Sequence, residues 1–490
     1  MRASLPVLLS ILTVAACIGP DFTPPPPPES NAYTAQPLPD VTASAEGQGG
    51  GLQRFVTGRD IPGQWWSLFH SPGLNTLMEQ ALRSNADLQA AQAALHVADE
   101  TARAQAGGLW PTVSATGGAT RQKALASAGT NSSAVPHNSV YNLYTAQVGI
   151  SYAPDVWGGV SRQVEGAEAQ AEAAQFQMEA AALTLTSNLA LAVVQEASLR
   201  GQIAATQGII ALGEQSLAIL RKQFALGQVA RVDVLAQEAA VAQQRQTLPG
   251  LKRQLTQQRN LLAVLTGRLP NDPPDETFDL ITLSLPEELP VSLPSVLVEQ
   301  RPDIRAASAN LHAATAQVGV AMAARLPLIN LTASQGSSSA FTDGKLGIFT
   351  PGTGFWTLAG SVSQTLFDGF SLMHRQRAAE AGLDQAAAQY RSTVLGAFQN
   401  VADVLEALQR DAESLAAATE AEKVAASNLA ITRRQLELGA VGTLTLLNAQ
   451  QTETQTRLAK VQAQAGRLAD TVALFQALGG GWWNRPAKGA

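Results

Sequence analysis

The strongest constraint on the fold of this 490-residue chain is an internal repeat: most of the sequence consists of two similar copies of one unit. The segment "RSNADLQAAQAALHVADE" from Arg83 is similar to "EQRPDIRAASANLHAATA" from Glu299, and Leu95 corresponds to Leu311 at a separation of 216 (311 − 95). Further along, pairs of glycines correspond at separations of 211 (360 − 149) and 212 (439 − 227 and 479 − 267). The fold must therefore give two similar units equivalent surroundings.

Each unit carries a long heptad pattern. Residues at alternating spacings of three and four run from Ala182 to Phe224, and the same pattern recurs from Val394 to Leu436, at a separation of 212 (394 − 182). This spacing is typical of a coiled-coil seam. It predicts a helix near 158–226, on the order of 100 Å long at 1.5 Å per residue. Shorter helices are expected near 72–107 and 231–267.

Strand-like segments separate the first and second helix of each copy. Apolar and polar residues alternate in "PTVSATGGAT" from Pro111, in "YTAQVGISY" from Tyr144, and in the second copy around 329–334 and 356–363. Each strand would be about 10–13 residues, enough to cross a bilayer at the tilt of a barrel. Aromatic residues lie near the strand ends, as interfacial aromatics do: Trp110, Tyr152, Trp157 and Phe367. The alternative is a soluble antiparallel sheet with one wet face.

Four strands are too few to enclose a channel. An open sheet in lipid would also leave the backbone groups of its edge strands without hydrogen-bond partners. Several chains must therefore share one barrel, and three copies would supply twelve strands, an even number with room for a lumen.

The N-terminus indicates export and lipidation. "MRASLPVLLSILTVAAC" begins with a positive charge, continues with an apolar run and ends in small residues, which predicts a signal peptide over 1–16. "VAAC" resembles a bacterial lipobox, in which the cysteine is acylated and becomes the first mature residue. Cys17 is the only cysteine, so it has no disulfide partner. Lipidation of Cys17 is the favoured interpretation, and a buried thiol in an ordinary signal peptide is the alternative.

A proline run follows the cysteine. Pro24 to Pro28 predict an extended polyproline II tether that would space a lipid anchor from a folded body. The residues up to about Gly51 are expected to be loosely ordered. The predicted divisions are a signal peptide (1–16), a lipid-anchored Pro-rich segment (17–60), a first repeat (61–270), a linker (271–293), a second repeat (294–480) and a tail (481–490).

Composition and motifs argue against several functions. The net charge is −6, charged residues make up 15%, and no Lys/Arg cluster occurs, so nucleic acid is not an expected partner. No nucleophile, phosphate or metalloprotease motif is present, so neither enzymatic activity nor a cofactor is expected. The five histidines are scattered: His70, His96, His137, His312 and His374. The repeat equivalents His96 and His312 are assigned to helix surfaces rather than to a metal, and Asp87 and Asp303 to helix starts.

The chain resembles the TolC-like outer-membrane factors of tripartite efflux systems, in particular the lipoprotein branch that serves resistance-nodulation-division pumps. The matching segments are "GPDFTPP", "WWSLFHSPGLNTLMEQALRSNADLQAA", "EQRPDIRAA", "LFDG", "GTLTLLNAQQ" and "LFQALGGGW". The resemblance implies a membrane α/β fold, with a trimeric outer-membrane β-barrel of four strands per chain continuous with a periplasmic α-helical barrel. It implies a homotrimer in contact with outer-membrane lipid, a periplasmic adaptor and an inner-membrane pump. One departure is Phe370–Ser371, where relatives often have Gly-Arg.

The resemblance also assigns a periplasmic aperture to the turns between long and short helices. In relatives a leucine and, one turn later, an aspartate ring this aperture, and the matching positions here are Leu444 and Asn448. With Asn448 in place of the aspartate, the usual acidic ring would be neutral. The alternative is that Asn448 is simply a solvent-exposed residue on a helix face. Asp233 in the other hairpin could supply a replacement ring, unless Arg231 neutralises it.

Two other classes of function stay open at this point. A lipid-anchored periplasmic coiled-coil scaffold would lack the four alternating strands, and an envelope enzyme would need a clustered polar site. The exported substrate is not indicated by the sequence, which leaves drugs, solvents, metal ions and siderophore-like molecules.

Overall fold

The computed structural model describes residues 18–30, 32–37, 39–47, 49–123, 140–341 and 350–485, so the signal peptide, Cys17 and His137 lie outside the described residues. The helices are α1 (Pro72–Ser84), α2 (Ala86–Ala106), α3 (Gly159–Ala225), α4 (Arg231–Leu265), α5 (Pro294–Gln300), α6 (Pro302–Ala323), α7 (Ser371–Glu437) and α8 (Thr443–Ala477). The strands are β1 (Arg54–Thr57), β2 (Thr112–Lys123), β3 (Val140–Tyr152), β4 (Glu288–Val291), β5 (Leu328–Phe341) and β6 (Gly354–Ser363).

The long helices and the four long strands lie where the periodicity predicts them, but the single helix expected near 72–107 is wrong. It is broken at Asn85, whose backbone is extended. The Asn85 side chain accepts a hydrogen bond from the Leu88 N–H (3.0 Å) and donates one to the Leu265 carbonyl (3.1 Å). Its side chain thereby caps the start of α2. At the equivalent position of the second copy, Arg301 is also extended and precedes Pro302, which disfavours a helical residue before it.

The chain forms two compact units, each drawing on both repeats. Within the described residues, the sheet unit comprises 18–24, 96–173 and 308–389, and the helical unit comprises 25–95, 174–307 and 390–485. The sheet unit contains the four long strands, whereas β1 and β4 pair in parallel within the helical unit. The sequence periodicity did not predict this short pair.

The four long strands form one antiparallel sheet in the order β2-β3-β5-β6. Its register gathers apolar side chains on one face, as in the row formed by Val113, Ile150, Ala333 and Leu358. The next row, on the opposite face, is Ser114, Gly149, Ser334 and Thr357. Charged residues in the strands are confined to Arg121 and Lys123 at the end of β2. The outer edges of β2 and β6 pair with no other strand among the described residues.

The helical unit is built around one large apolar core. Trp65 is almost fully buried and stacks on Phe475, with ring centroids 5.2 Å apart. The α7 seam contributes Val401, Leu405 and Leu408, all fully buried. Aromatic burial of this extent contributes several kcal/mol, at about 25 cal/mol per Å² of apolar surface removed from water.

One part of α3 is apolar and long enough to cross a bilayer by length and composition alone. In the structure, the apolar stretch of this helix that packs in the helical unit has Leu185, Leu189 and Val193 buried in the same core as Trp65. The Thr186 hydroxyl lies in the same stretch and donates to the backbone carbonyl of Ala182 (3.0 Å), four residues earlier. Leu185, Leu189 and Val193 are therefore held by packing within the protein.

A buried side chain on α8 helps to hold residues 42–47 and 49–53, which makes the expected loose ordering of this segment wrong. Arg467 on α8 is fully buried and donates hydrogen bonds to the Gly51 carbonyl (2.7 Å), the Gly49 carbonyl (3.1 Å) and the Thr42 hydroxyl (2.9 Å). It also donates to the Gln53 side-chain oxygen (3.3 Å). A buried guanidinium requires acceptors on every side, and the backbone of this segment provides them. Burial lowers the pKa of Arg467, and Asp411 opposes that shift.

Two carboxyl groups lie close to this arginine. Burial, together with the negative charge of Asp411 and a hydrogen bond to it, raises the pKa of Asp470 to about 7. Because two carboxylates in contact cannot both ionise cheaply, the pair holds a proton at mildly acidic pH. A hydrogen bond between the two carboxyl groups links α7 to α8 when Asp470 is protonated.

Replacing Arg467 with Ala should release residues 42–53 and lower the free energy of unfolding by about 3 kcal/mol, since each buried acceptor left without a donor costs about 1–3 kcal/mol. Urea unfolding of the detergent-solubilised protein, with hydrogen–deuterium exchange of 42–53, measures both effects. The exposed Arg410, which pairs with Glu406 and Glu413 on its own helix, provides the control. Slow exchange of 42–53 in the Arg467→Ala variant would contradict the role assigned to the guanidinium.

Replacing Asp470 with Asn should flatten the dependence of stability on pH. The pKa is raised from 3.8 to about 7 on folding, so the native state binds a proton that the unfolded state has released. The resulting stability is fully present below about pH 4 and is lost as the pH rises through about 7. Thermal unfolding of the wild type should therefore shift to lower temperature between these pH values, and the Asn variant should shift less. The exposed Asp384→Asn change should keep the wild-type slope; an unchanged slope in Asp470→Asn would refute the assignment.

Candidate functional site

The two turns between the long and short helices are built alike. Gly227 and Gly439 correspond at a separation of 212 (439 − 227) and both have left-handed backbones, with φ of 71° and 73°. After each glycine, the next N–H donates a hydrogen bond back to the long helix. Gln228 donates to the Gln223 carbonyl and Ala440 to the Gln435 carbonyl, each with an N–O distance of 2.9 Å. Glycine is required because a side chain at this position of a helix end would be strained. Each turn returns the chain onto a second helix.

Leu444 and Asn448, the aperture positions implied by the resemblance, lie on one exposed face of α8. The opposite face of the helix buries Leu446 and Ala449 against Leu429 and Leu436 of α7. Leu444 is 71% exposed and Asn448 is also exposed. The packing of α7 against α8 therefore turns these two side chains outward together, one helical turn apart.

The exposed face of α8 continues without charge. The positions that follow Leu444 and Asn448 at heptad spacing are exposed and neutral: Gln451, Gln455, Ala459 and Gln462. We call these six residues the neutral stripe. It exposes hydrogen-bonding amides and apolar side chains but no fixed charge.

The charges of α8 face its partner helix instead. Glu453 is almost fully buried and pairs with Arg457 at 2.8 Å, while Lys460 pairs with Glu422 of α7 at 3.3 Å. Burial raises the pKa of Glu453, and the nearby Arg457 limits the rise. These groups join α7 to α8 and are withdrawn from the neutral stripe.

Asp233 is positioned differently from the other two predicted aperture residues. It lies in the first turn of α4, and its carboxylate accepts a hydrogen bond from the Ala230 N–H at 3.1 Å. The Ala230 side chain cannot cap the helix. The Asp233 carboxylate instead accepts a hydrogen bond from a backbone N–H that the helix leaves without a partner. Its negative charge also interacts favourably with the positive end of the helix dipole. The structure brings Leu444 and Asn448 together on α8 and ties Asp233 to the start of another helix.

A buried amide network between α3, α4 and α8 was missed by sequence reasoning. The Gln237 amide donates to the Gly213 carbonyl (3.0 Å) and to the Gln450 side-chain oxygen (3.3 Å), and Gln450 donates to the Ser216 hydroxyl (3.0 Å). Gln237 is fully buried, beside a cavity of about 460 Å³. The sequence did carry a signal of close helix packing here, because Gly213 interrupts the apolar seam of α3. In the structure, a side chain at this position would collide with Val241 of α4.

The departure at Phe370 has a structural consequence. Phe370 adopts a left-handed backbone with φ of 68°, a conformation that costs a non-glycine residue about 1 kcal/mol. Its ring packs edge-on against Phe367, with centroids 5.8 Å apart, and both side chains are largely exposed. Asp368 starts α7 by accepting a hydrogen bond from the Leu372 N–H at 2.7 Å.

Comparison with known proteins gives these features a context. Residues 77–268 and 293–480 match the outer membrane efflux protein family. The toluene efflux pump outer membrane protein TtgC of Pseudomonas putida is 29% identical over 98% of this chain and 97% of its own length. The pyoverdine export outer membrane protein OpmQ of Pseudomonas aeruginosa is 30% identical over 86% of this chain and 87% of its own.

The fold agrees with a solved channel of the same kind. The structure of the outer-membrane channel OprN superposes with a TM-score of 0.83 at 26% identity, covering 95% of this chain and 100% of that one. The two matched segments correspond to the two halves of the internal repeat. The chain belongs to the outer membrane efflux protein family and is a TolC-like exit duct of an efflux pump, located in the outer membrane.

Proposed function

We propose that three copies of this chain close one twelve-stranded barrel in the outer membrane and one helical tunnel in the periplasm. The observation that carries the proposal is the four-stranded sheet, with its apolar face and its two unpaired edges. In lipid the N–H and C=O groups of β2 and β6 must find partners. Pairing β6 of one copy with β2 of the next satisfies both edges and turns the apolar faces outward.

The conduit is passive and weakly selective. The neutral stripe carries no charge that could select a cation or an anion. The names of two relatives point to toluene and to pyoverdine, which differ widely in size and polarity. An inner-membrane resistance-nodulation-division pump and a periplasmic adaptor therefore determine which substrates are exported, and this chain forms the exit channel.

Detergent-extracted protein should be a trimer, and it should conduct ions in a planar bilayer. Multi-angle light scattering, corrected for detergent, should give about three times the mass of the processed chain, since only shared strands remove the open edges. A periplasmic coiled-coil scaffold would give no conductance at any oligomeric state. A monomer that nevertheless conducts would refute the shared barrel but not the channel.

Leu444 and Asn448 are proposed to line the periplasmic aperture. Asn448→Asp should raise cation selectivity, because a ring of carboxylates attracts cations where amides do not. Leu444→Ala should raise single-channel conductance by widening the constriction. Asp233→Asn is the comparison variant. If it is the one substitution that lowers cation selectivity, the acidic ring is formed by α4. Unchanged conductance and selectivity in all three variants would exclude these residues from the aperture.

Cys17 is proposed as the site of lipidation. Cys17→Ser should abolish incorporation of a radioactive fatty acid and leave an unprocessed or mislocalised precursor, because no other cysteine can accept the acyl groups. Label retained by the Ser variant would place the lipid elsewhere. Anchoring by more than one acyl chain would be stable where a single chain is marginal.

A further inference from the structure

The residues directly after Cys17 are docked on the sheet unit. The Ile18 N–H donates to the Trp157 carbonyl at 3.2 Å, and the Trp157 indole in turn donates to the Pro327 carbonyl at 2.7 Å. The Phe22 ring stacks on His312 with centroids 4.4 Å apart and planes 15° from parallel. The tether predicted for Pro24 to Pro28 is therefore preceded by a docked segment at 18–22, which the sequence did not predict.

A pair of glycines lets the segment approach the body closely. Gly19 has φ of 108°, and a Cβ added to it would lie 2.5 Å from the Gly319 Cα on α6. A Cβ on Gly319 would lie 2.8 Å from the Ile18 carbonyl and 2.9 Å from the Arg162 side chain. Backbone meets backbone at this point, so any side chain on either residue would push the segment away.

A charged cluster holds the same segment from the other side. Arg162 on α3 is only 4% exposed, and its guanidinium pairs with Asp21 at 2.6 Å and with Glu165 at 2.7 Å. Glu165 also accepts a hydrogen bond from His312 at 2.9 Å when that ring nitrogen is protonated. Burial opposes the charge on Glu165, but Arg162 and His312 outweigh it and hold the pKa of Glu165 below its ordinary value. Asp21, itself largely exposed, thus pairs with a buried guanidinium that the body provides.

The other repeat does not offer this arrangement. The equivalent of Gly319 is Arg103 (319 − 216), which is exposed and pairs with Glu100 of its own helix. The equivalent of His312 is His96 (312 − 216), which is exposed. The two copies therefore differ where the N-terminal segment binds one of them.

We propose that Arg162, Glu165, His312 and Gly319 form a binding site for Ile18–Phe22, the anchor seat, which fixes the N-terminus at one of two repeat-equivalent places. This inference rests on the proposed lipidation of Cys17 for its membrane consequence. Without the seat, the next distant hydrogen bond along the chain is from the Tyr33 hydroxyl to the Ser292 carbonyl. Residues 18–32 would then span up to about 46 Å at 3.1 Å per residue. With the segment bound in the seat, the part of the chain between the lipid and the folded body is shortened from that length to a single residue.

Hydrogen–deuterium exchange of residues 18–24, measured in the N-terminal peptide that still carries Cys17, tests the seat. Gly19→Ala and Asp21→Asn alter only the docked segment, so the body should fold in both. Each should speed exchange of the Ile18 amide by about tenfold or more, as expected for loss of a local protected state. His96→Ala is the control for His312→Ala: only the latter should speed exchange. Wild-type rates in Gly19→Ala, Asp21→Asn and His312→Ala would overturn the proposal.

Crosslinking tests which repeat binds the segment. With Cys17 acylated, a Phe22→Cys, His312→Cys variant has only two free thiols, and a short bismaleimide should join them within one chain. The Phe22→Cys, His96→Cys variant should not be joined, and equal yields from both pairs would refute the assignment to α6. Fatty-acid labelling of the wild type is scored separately. Absence of label with fast exchange only in the seat variants would refute lipidation while supporting the seat.

Discussion

Backbone hydrogen bonding in a medium without water is the constraint on which the rest of this structure depends. A strand in lipid must pair on both sides, yet in the part of the chain that the structure describes β2 and β6 each have one edge without a partner strand. Four strands enclose no lumen. In the proposed trimer, further copies close the sheet, and the two similar hairpins of each chain divide the barrel into equal parts. The internal repeat fits this arrangement.

The helices follow a related rule for charge. α8 turns Glu453 and Arg457 toward α7 and leaves amides and small groups on its other face. Burying those ions is costly unless they are paired, so their placement fixes how α7 and α8 align. The same arrangement keeps fixed charge away from the neutral stripe. Specific packing of α7 against α8 and the uncharged exposed face of α8 are thus two results of one distribution of charge.

Sequence periodicity was sufficient for the elements that repeat regularly. The seams of α3 and α7 and the alternation in β2, β3, β5 and β6 are local signals, and the structure confirms the elements they predict. Leu444 and Asn448 were identified through the family resemblance, and the structure shows both exposed on α8. Whether they line an aperture depends on neighbouring copies, which a single chain does not contain.

The features that were missed depend on partners far apart in sequence. Arg467 finds its acceptors in residues 42–53, Gln237 meets Gln450, and Asn85 bonds the Leu265 carbonyl. A buried polar side chain carries no period, so its role is visible only once the fold supplies its partner. The docked segment at Ile18–Phe22 is a further case, since a proline-rich composition suggests extension and says nothing of a receptor.

The contact between Arg467 and Thr42 has a consequence for the order of events during biosynthesis. The two residues are 425 positions apart, so the hydrogen bond cannot form until nearly the whole chain has been made. β1 must likewise wait for β4, whose first residue follows its own by 234 positions (288 − 54). Loop closure costs little more for such separations than for shorter ones, but it does impose a delay. Thr42 and β1 lie near the start of the chain, yet their long-range contacts are among the last that can form.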